Sequence, residues 1–221
     1  MKTPIRPSTW FWRALQRCAV VFAAAVAGCG SSVPPDVTIA GAAAARTQTA
    51  YVRPVTSAGA PIEGYRVTSS APDASCEPGS EAIGEGYRFS AGNYLYDPCW
   101  AEKAATPTVL CLADPWLRTV AELRLNSALP AIPREDGASV EPWGLQLADG
   151  NRCLLAQGAH NPFDGTVLDY YCTSGLALLR GLNRTRATWT ARSVVDTHGK
   201  LSGGPTEKIV IAWYGSPVRF R

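Results

Sequence analysis

The sequence predicts a mainly β protein: a small disulfide-stapled antiparallel meander body, preceded by a signal helix and a flexible tether. Three observations carry this. A basic start leads into a short apolar run that ends at Gly28-Cys29. An Ala-, Pro- and Ser-rich stretch follows it. Beyond that, short β-rich runs alternate with Gly- and Asp-containing turn signals, and cysteines fall among them.

Residues 1–28 carry Lys2, Arg6, Arg13 and Arg17 and no acidic side chain. Cys18 to Ala27 then form an apolar core of Ala, Val and Phe. That core is short for a bilayer span, which needs about 20 residues. The segment therefore reads as an export signal rather than a permanent membrane helix. Small residues lead to a cysteine, and Val26-Ala27-Gly28-Cys29 resembles the bacterial lipobox. The resemblance implies diacylation of the Cys29 thiol and cleavage before it. Two acyl chains hold a protein stably on a membrane, where one would not. The expected address is extracytoplasmic and lipid-anchored, on the cell membrane or outer envelope.

The full chain has 21 Lys and Arg against 18 Asp and Glu. Removing the four basic residues of the signal leaves 17 against 18, so the apparent basicity belongs to the signal. The body lacks the positive charge that nucleic-acid binding requires, and no nucleic-acid partner is expected.

Residues 29–60 read as the tether. They contain Pro34-Pro35 and Gly41 to Ala45, with no large aliphatics at a helical or strand period. Ala42–Ala50 has the composition of a weak helix. The body, 61–221, suits one domain, with possible lobes at 61–135 and 136–221.

Strand patterns are densest in the C-terminal half. Leu145 to Ala148 and Arg152 to Gln157 flank Asp149-Gly150, a type I′ hairpin signal because both turn residues would need positive φ. Asp164-Gly165 precedes Thr166–Cys172, and Ser174-Gly175 separates that run from Leu176–Arg180. Ala187–Val195 and Lys208–Tyr214 follow, with a Gly-rich loop through Gly203-Gly204-Pro205 between them. Upstream, Val120, Leu123 and Leu125 mark a further run, and Arg66-Val-Thr and Gly86-Tyr-Arg-Phe mark two short ones. Trp100–Ala105 has room for one or two helical turns. Asp97-Pro98 and Asp114-Pro115 both read as tight turns leading to a tryptophan.

Beyond Cys29 the cysteines are Cys76, Cys99, Cys111, Cys153 and Cys172. An exported chain meets an oxidising compartment, so disulfides are expected, and an odd number leaves one thiol over. Cys153 and Cys172 fall on two expected strands joined by one connection, where bridging geometry is met. Cys99–Cys111 would close the turn-rich segment around Thr106-Pro107. Cys76–Cys99 and Cys76–Cys111 stand as rival pairings.

The pattern Trp143-Gly-Leu-Gln-Leu-Ala-Asp-Gly-Asn-Arg-Cys153, Tyr170-Tyr-Cys172, Gly175, Trp189-Thr190 and Ala212-Trp213-Tyr214 resembles actinobacterial envelope lipoproteins of the LppP/LprE type. Upstream, Ser75-Cys76-Glu-Pro-Gly-Ser80, Tyr87-Arg88, Gly92-Asn93, Tyr96 to Trp100 and Val109 to Cys111 are similar to the same group. The likeness covers roughly residues 70–214. It implies an envelope protein with no assigned reaction. Such sequences often place a cysteine directly after Tyr-Arg, where this chain has Phe89. The resemblance thereby implies that Cys76 has lost its partner and is the free thiol.

Chemistry is sparse. His160 and His198 are the two histidines, both in polar loop-like stretches, and no Gly-x-Ser-x-Gly elbow is present. No Cys-x-x-Cys, His-x-x-x-His or Asp-rich loop points to a metal, and no cofactor is expected. Glu81, Glu85 and Asp97 have no pattern that sets them apart as a hydrolytic carboxylate pair. Trp100 and Trp116, each following an Asp-Pro, are the candidate recognition surface for an envelope protein or glycan. The expected function is a non-enzymatic binding or scaffolding module. The alternatives are an envelope hydrolase or thiol enzyme of unrecognised type, and a carrier of a small apolar ligand.

Overall fold

The structure is a computed structural model that describes residues 46–77, 79–83, 86–101, 107–129, 140–158, 161–197 and 200–216. The signal segment, Cys29, the tether up to residue 45, Glu85, Thr106, His160 and His198 lie outside the described residues. The described residues fold into strands and connections, with no helix among them.

The first barrel is a five-stranded meander: β2 (Arg66–Glu77), β3 (Tyr87–Ala91), β4 (Tyr94–Ala101), β5 (Thr108–Cys111) and β6 (Thr119–Leu125). Successive strands pair antiparallel, and β2 closes onto β6. An odd number of up-and-down strands can only close with a parallel pair, and β2 and β6 are parallel. Gly92, at φ 59°, starts the two-residue turn between β3 and β4, as a type II′ turn requires. Tyr87, Phe89 and Ala91 alternate inward along β3. They meet Cys99, Val109, Cys111 and Leu123 in the barrel interior.

The second barrel is built from β7 (Gly144–Leu147), β8 (Arg152–Leu155), β10 (Thr166–Cys172), β11 (Leu176–Leu179), β12 (Trp189–Thr197) and β13 (Lys200–Gly215). This meander closes on itself through the antiparallel pairing of β13 with β7. The short β9 (Pro162–Phe163) pairs only with β10. Leu145, Leu147, Cys153, Leu155, Tyr170, Leu178, Ala191, Ile209 and Ala212 fill its interior. Both barrels belong to the same compact unit.

Several expectations are corrected. β1 (Gln48–Val52) lies inside the stretch read as tether and weak helix. It pairs parallel with β13, Gln48 opposite Ile211 and Val52 opposite Gly215. The reason is the length of β13. Its pairing with β12 ends at Trp189–Ile209, which leaves the rest of that edge open for β1. Val52 and Val55 are buried, so the body begins well before residue 61. Gly203-Gly204-Pro205 lies within β13 rather than in a loop. A Cβ at Gly204 would strike Ser193 on the paired strand β12, so glycine is what permits the pairing. Trp100 and Ala101 end β4 and are not helical, and Asp97-Pro98 sits within that strand rather than forming a turn. Asp114-Pro115 does form a turn, with the Asp114 carboxylate accepting from the Trp116 amide at 2.7 Å.

The two Asp-Gly pairs exchange roles. Asp164 and Gly165 both have positive φ, 49° and 72°, and join β9 to β10 as a type I′ turn. At the β7–β8 hairpin only Gly150 is left-handed, at φ 90°. The Gly150 amide donates to the Leu147 carbonyl at 3.0 Å, so Asp149 sits in an ordinary turn followed by a bulge.

Each barrel carries one disulfide, Cys99–Cys111 and Cys153–Cys172, and each joins residues directly opposite on paired strands. Cys76 is the free cysteine among the described residues. It too has a directly opposed residue, Phe89 on β3. A Phe89→Cys variant is therefore expected to form a third cross-strand bridge. Cys76 should react with a thiol label in the denatured wild type and be silent in the oxidised variant. A Cys76 that stays fully reactive would show that the β2–β3 register is not as described.

Candidate functional site

The two tryptophans expected at a recognition surface lie elsewhere. Trp100 is buried at 3% exposure, because β4 turns it outward from the first barrel and against Trp143 beside the second. Its indole N–H donates to the Ser216 carbonyl at 2.9 Å. Its ring meets Trp143 edge-on, with centroids 6.3 Å apart. Trp116 is half-buried and meets Trp213 in the same manner at 6.1 Å. Arg152 covers the Trp116 ring at 5.3 Å. One tryptophan of each pair comes from the first barrel and one from the second. Such pairs add about 0.5–1.5 kcal/mol each beyond the area they bury. The Trp116 and Trp213 indole N–H groups are buried without an acceptor among the described residues, a cost that the buried area must exceed.

Around the tryptophans pack Val52, Val55, Ala82, Ile83, Leu110, Leu112 and Val120. The seam thus uses β1, the β2–β3 connection and the outer face of the first barrel. Gly144 makes the closest approach possible. A Cβ there would stand 2.8 Å from Pro115 and 2.9 Å from the Trp116 ring.

Asp97 holds the β2–β3 connection against the first barrel. It is buried at 3% exposure. It accepts from the Ser80 hydroxyl, and from the Glu81 amide at 2.9 Å. The Ser80 oxygen in turn accepts from the amides of Ala82 and Ile83, at 3.1 Å and 3.0 Å. Burial raises the Asp97 pKa to about 6, against the Ser80 and Glu81 hydrogen bonds and the Arg88 charge, which lower it; the Glu81 charge adds to the rise. The Glu81 carboxylate is held by Arg88 at 2.8 Å. Glu81 and Asp97 are therefore neighbours, joined through the loop backbone, and both are engaged in holding that loop.

The exposed chemistry lies beside the seam, around β1, the end of β13 and the β11–β12 connection. Tyr51 is 68% exposed and stacks on Tyr214, with centroids 5.7 Å apart. The two tyrosines are opposite each other in the parallel β1–β13 pair. Arg184 pairs with Glu141 and lies over the Trp189 ring at 5.1 Å. The Arg180 Nε donates to both Asp169 oxygens, at 3.0 Å and 3.1 Å. Tyr214 feels the charges of Arg184 and Glu141, and burial is the main cause that raises its pKa. Burial also raises the Glu141 pKa, against the charge of Arg184. Tyr170, whose hydroxyl donates to the Pro142 carbonyl at 2.8 Å, lies on the inner side of this cluster.

Cys76 is not an activated thiol. Burial first, and the charge of Glu77 second, push its pKa up, so thiolate is scarce at neutral pH. No group of three or more His, Cys, Asp or Glu among the described residues is arranged to hold a metal ion. Sequence reasoning missed the Tyr51–Tyr214 and Arg184–Glu141 arrangements. Their members are far apart in sequence, and no motif marks them.

The fold and surface define a class: a two-barrel, disulfide-stapled β body with an aromatic and charged face. No protein family, curated protein or solved structure matches the chain.

Two outcomes follow from the seam. Gly144→Ala should destabilise the body by about 1–3 kcal/mol through overpacking. Gly203→Ala should change it little, since a Cβ there meets no atom within 4 Å. Equal melting temperatures for the two variants would contradict the packing described.

The second outcome concerns pH. The folded pKa of Asp97, about 6, lies above its ordinary value of 3.8. The fold therefore favours the protonated form, and this stabilisation is complete well below the ordinary pKa of 3.8 and is lost as pH rises through about 6. The stability difference between wild type and Asp97→Asn should shift by roughly 2 kcal/mol between pH 4 and 7, in the direction that disfavours wild type at high pH. Urea unfolding of both proteins across pH 4–7 measures it, and parallel curves would contradict the assignment.

Proposed function

We propose that this chain is a lipid-anchored envelope protein whose two-barrel body is a binding module. Its binding face is the surface around Tyr51, Tyr214, Trp189, Arg184 and Glu141. The observation that carries the reading is the exposed Tyr51 ring stacked on the half-buried Tyr214, beside paired charges. Aromatic rings accept the apolar face of a sugar, and Arg and carboxylate groups hydrogen-bond its hydroxyls. An envelope glycan is thus the ligand that suits this chemistry best. The Val-Ala-Gly-Cys29 sequence supports the anchor. One disulfide per barrel suits an oxidising, extracytoplasmic compartment.

The anchor and the face are tested separately. Wild-type protein should incorporate labelled palmitate and fractionate with membranes, whereas Cys29→Ser should do neither and should keep its signal segment. Equal labelling of the two would sink the anchor. The full chain should co-sediment with isolated, protein-free cell-wall polymer. Tyr51→Ala with Arg184→Ala should weaken this about tenfold, equivalent to about 1.4 kcal/mol. Sedimentation unchanged by the substitutions would reject the face.

A further inference from the structure

A second recessed site lies on the first barrel, away from the aromatic face. The segment Pro54–Ile62 doubles back on itself. Val55 bridges Pro61, the Thr56 amide donates to the Ala60 carbonyl at 2.8 Å, and the Ile62 amide donates to the Pro54 carbonyl at 2.8 Å. Its tip, Ala58-Gly59-Ala60, carries only small side chains. Between this tip and the outer face of the barrel is an open cavity of about 340 Å³. That is the lower end of the range for small-molecule sites.

Its walls are Pro61, Val67, Trp100 and Leu110, and its polar groups include Thr108 and Glu122. The outward direction of these side chains follows from register. Leu110 lies opposite both Trp100 on β4 and Glu122 on β6. Val67, 45% exposed, stands at the rim on β2. Among the described residues, Glu122 is the one charged residue of the lining. Neither it nor the Thr108 hydroxyl makes a hydrogen bond or ion pair among the described residues. Arg124 follows on the same face of β6 but does not line the cavity. Arg118, near the start of β6, is held by the Tyr65 hydroxyl at 2.6 Å and lies over its ring.

We propose that this cavity binds a small organic monocation: an ammonium group at Glu122, with an apolar body against Trp100, Leu110 and Val67. A neutral guest would desolvate the carboxylate with nothing in return, and an anion would be repelled by it. An ammonium offsets that cost, and the Thr108 hydroxyl accepts one of its remaining protons. The turn at residues 56–60 is closed by its own backbone hydrogen bonds, Thr56 amide to Ala60 carbonyl and Gly59 amide to Thr56 carbonyl at 3.1 Å. This site is independent of the glycan-binding reading.

The probe is benzylammonium chloride, titrated into the isotopically labelled full chain in a non-ionic maltoside micelle and followed by amide chemical shifts. Saturable shifts are expected at Ala60, Thr108, Leu110 and Glu122. Benzyl alcohol, the neutral counterpart, should bind about fivefold more weakly, and Glu122→Gln should weaken benzylammonium by a similar factor. Ala60→Leu, which fills the cavity from an exposed turn, should abolish the shifts without lowering the melting temperature. Tyr51→Ala should leave them unchanged. Equal binding of the amine and the alcohol, insensitivity to Glu122→Gln, or shifts confined to the tyrosine face would each overturn the proposal.

Discussion

Two edge-to-face tryptophan pairs, Trp100 on Trp143 and Trp116 on Trp213, join the barrels, and the positions of the other parts follow from them. Neither barrel buries these rings in its own interior. They leave the outer wall of one barrel and meet their counterparts from the other, with Val55, Ile83, Leu112 and Val120 filling the gaps. Gly144 is required because the rings come so close to its backbone. The Trp100 N–H bond to the Ser216 carbonyl then ties the first barrel to the segment just after β13. Burying several large aromatics in one seam gives two small meanders the apolar area that each alone would lack.

Closure solves a second problem. A meander leaves two strand edges with unpaired backbone groups, which are open to pairing with other chains. The first barrel removes its edges by the parallel β2–β6 pair, the second by β13–β7. Strand β13 runs for 16 residues because it serves three neighbours in turn. β12 takes its first part, and β1 and β7 take opposite edges of the last. The disulfides lie across paired strands within a barrel and do not bridge the seam. The covalent staples therefore hold each barrel, while packing and a few hydrogen bonds hold the pair.

The β2–β3 connection links this packing to the surface. Asp97 fixes Ser80 and Glu81, and so delivers Ala82 and Ile83 into the seam. The Glu81 carbonyl accepts from the Glu141 amide at 3.2 Å, and the Glu141 side chain reaches Arg184. A run of polar contacts thus passes from a buried carboxylate in one barrel to the exposed charged face of the other. Tyr51 stands beside that face because β1 is drawn onto β13, so the segment before the first barrel supplies a surface group to the second.

The sequence by itself determined the β class, the strand β10 at Thr166–Cys172 and the Cys153–Cys172 bridge. These depend on period-two alternation and on turn residues a few positions apart, which are local properties. Tertiary structure decided the rest. Strand β4 was hidden because Asp97-Pro98 has the local chemistry of a turn, and only pairing with β3 and β5 makes it a strand. Asp149-Gly150 and Asp164-Gly165 are the same dipeptide in different turns, because the register of the flanking strands sets the dihedrals. β1 has five residues and one buried side chain, so no alternation marks it until β13 offers an edge. Trp100 has the same local surroundings whether it faces solvent or a second barrel. Burial depends on what lies across the interface, and that partner, Trp143, is far along the chain.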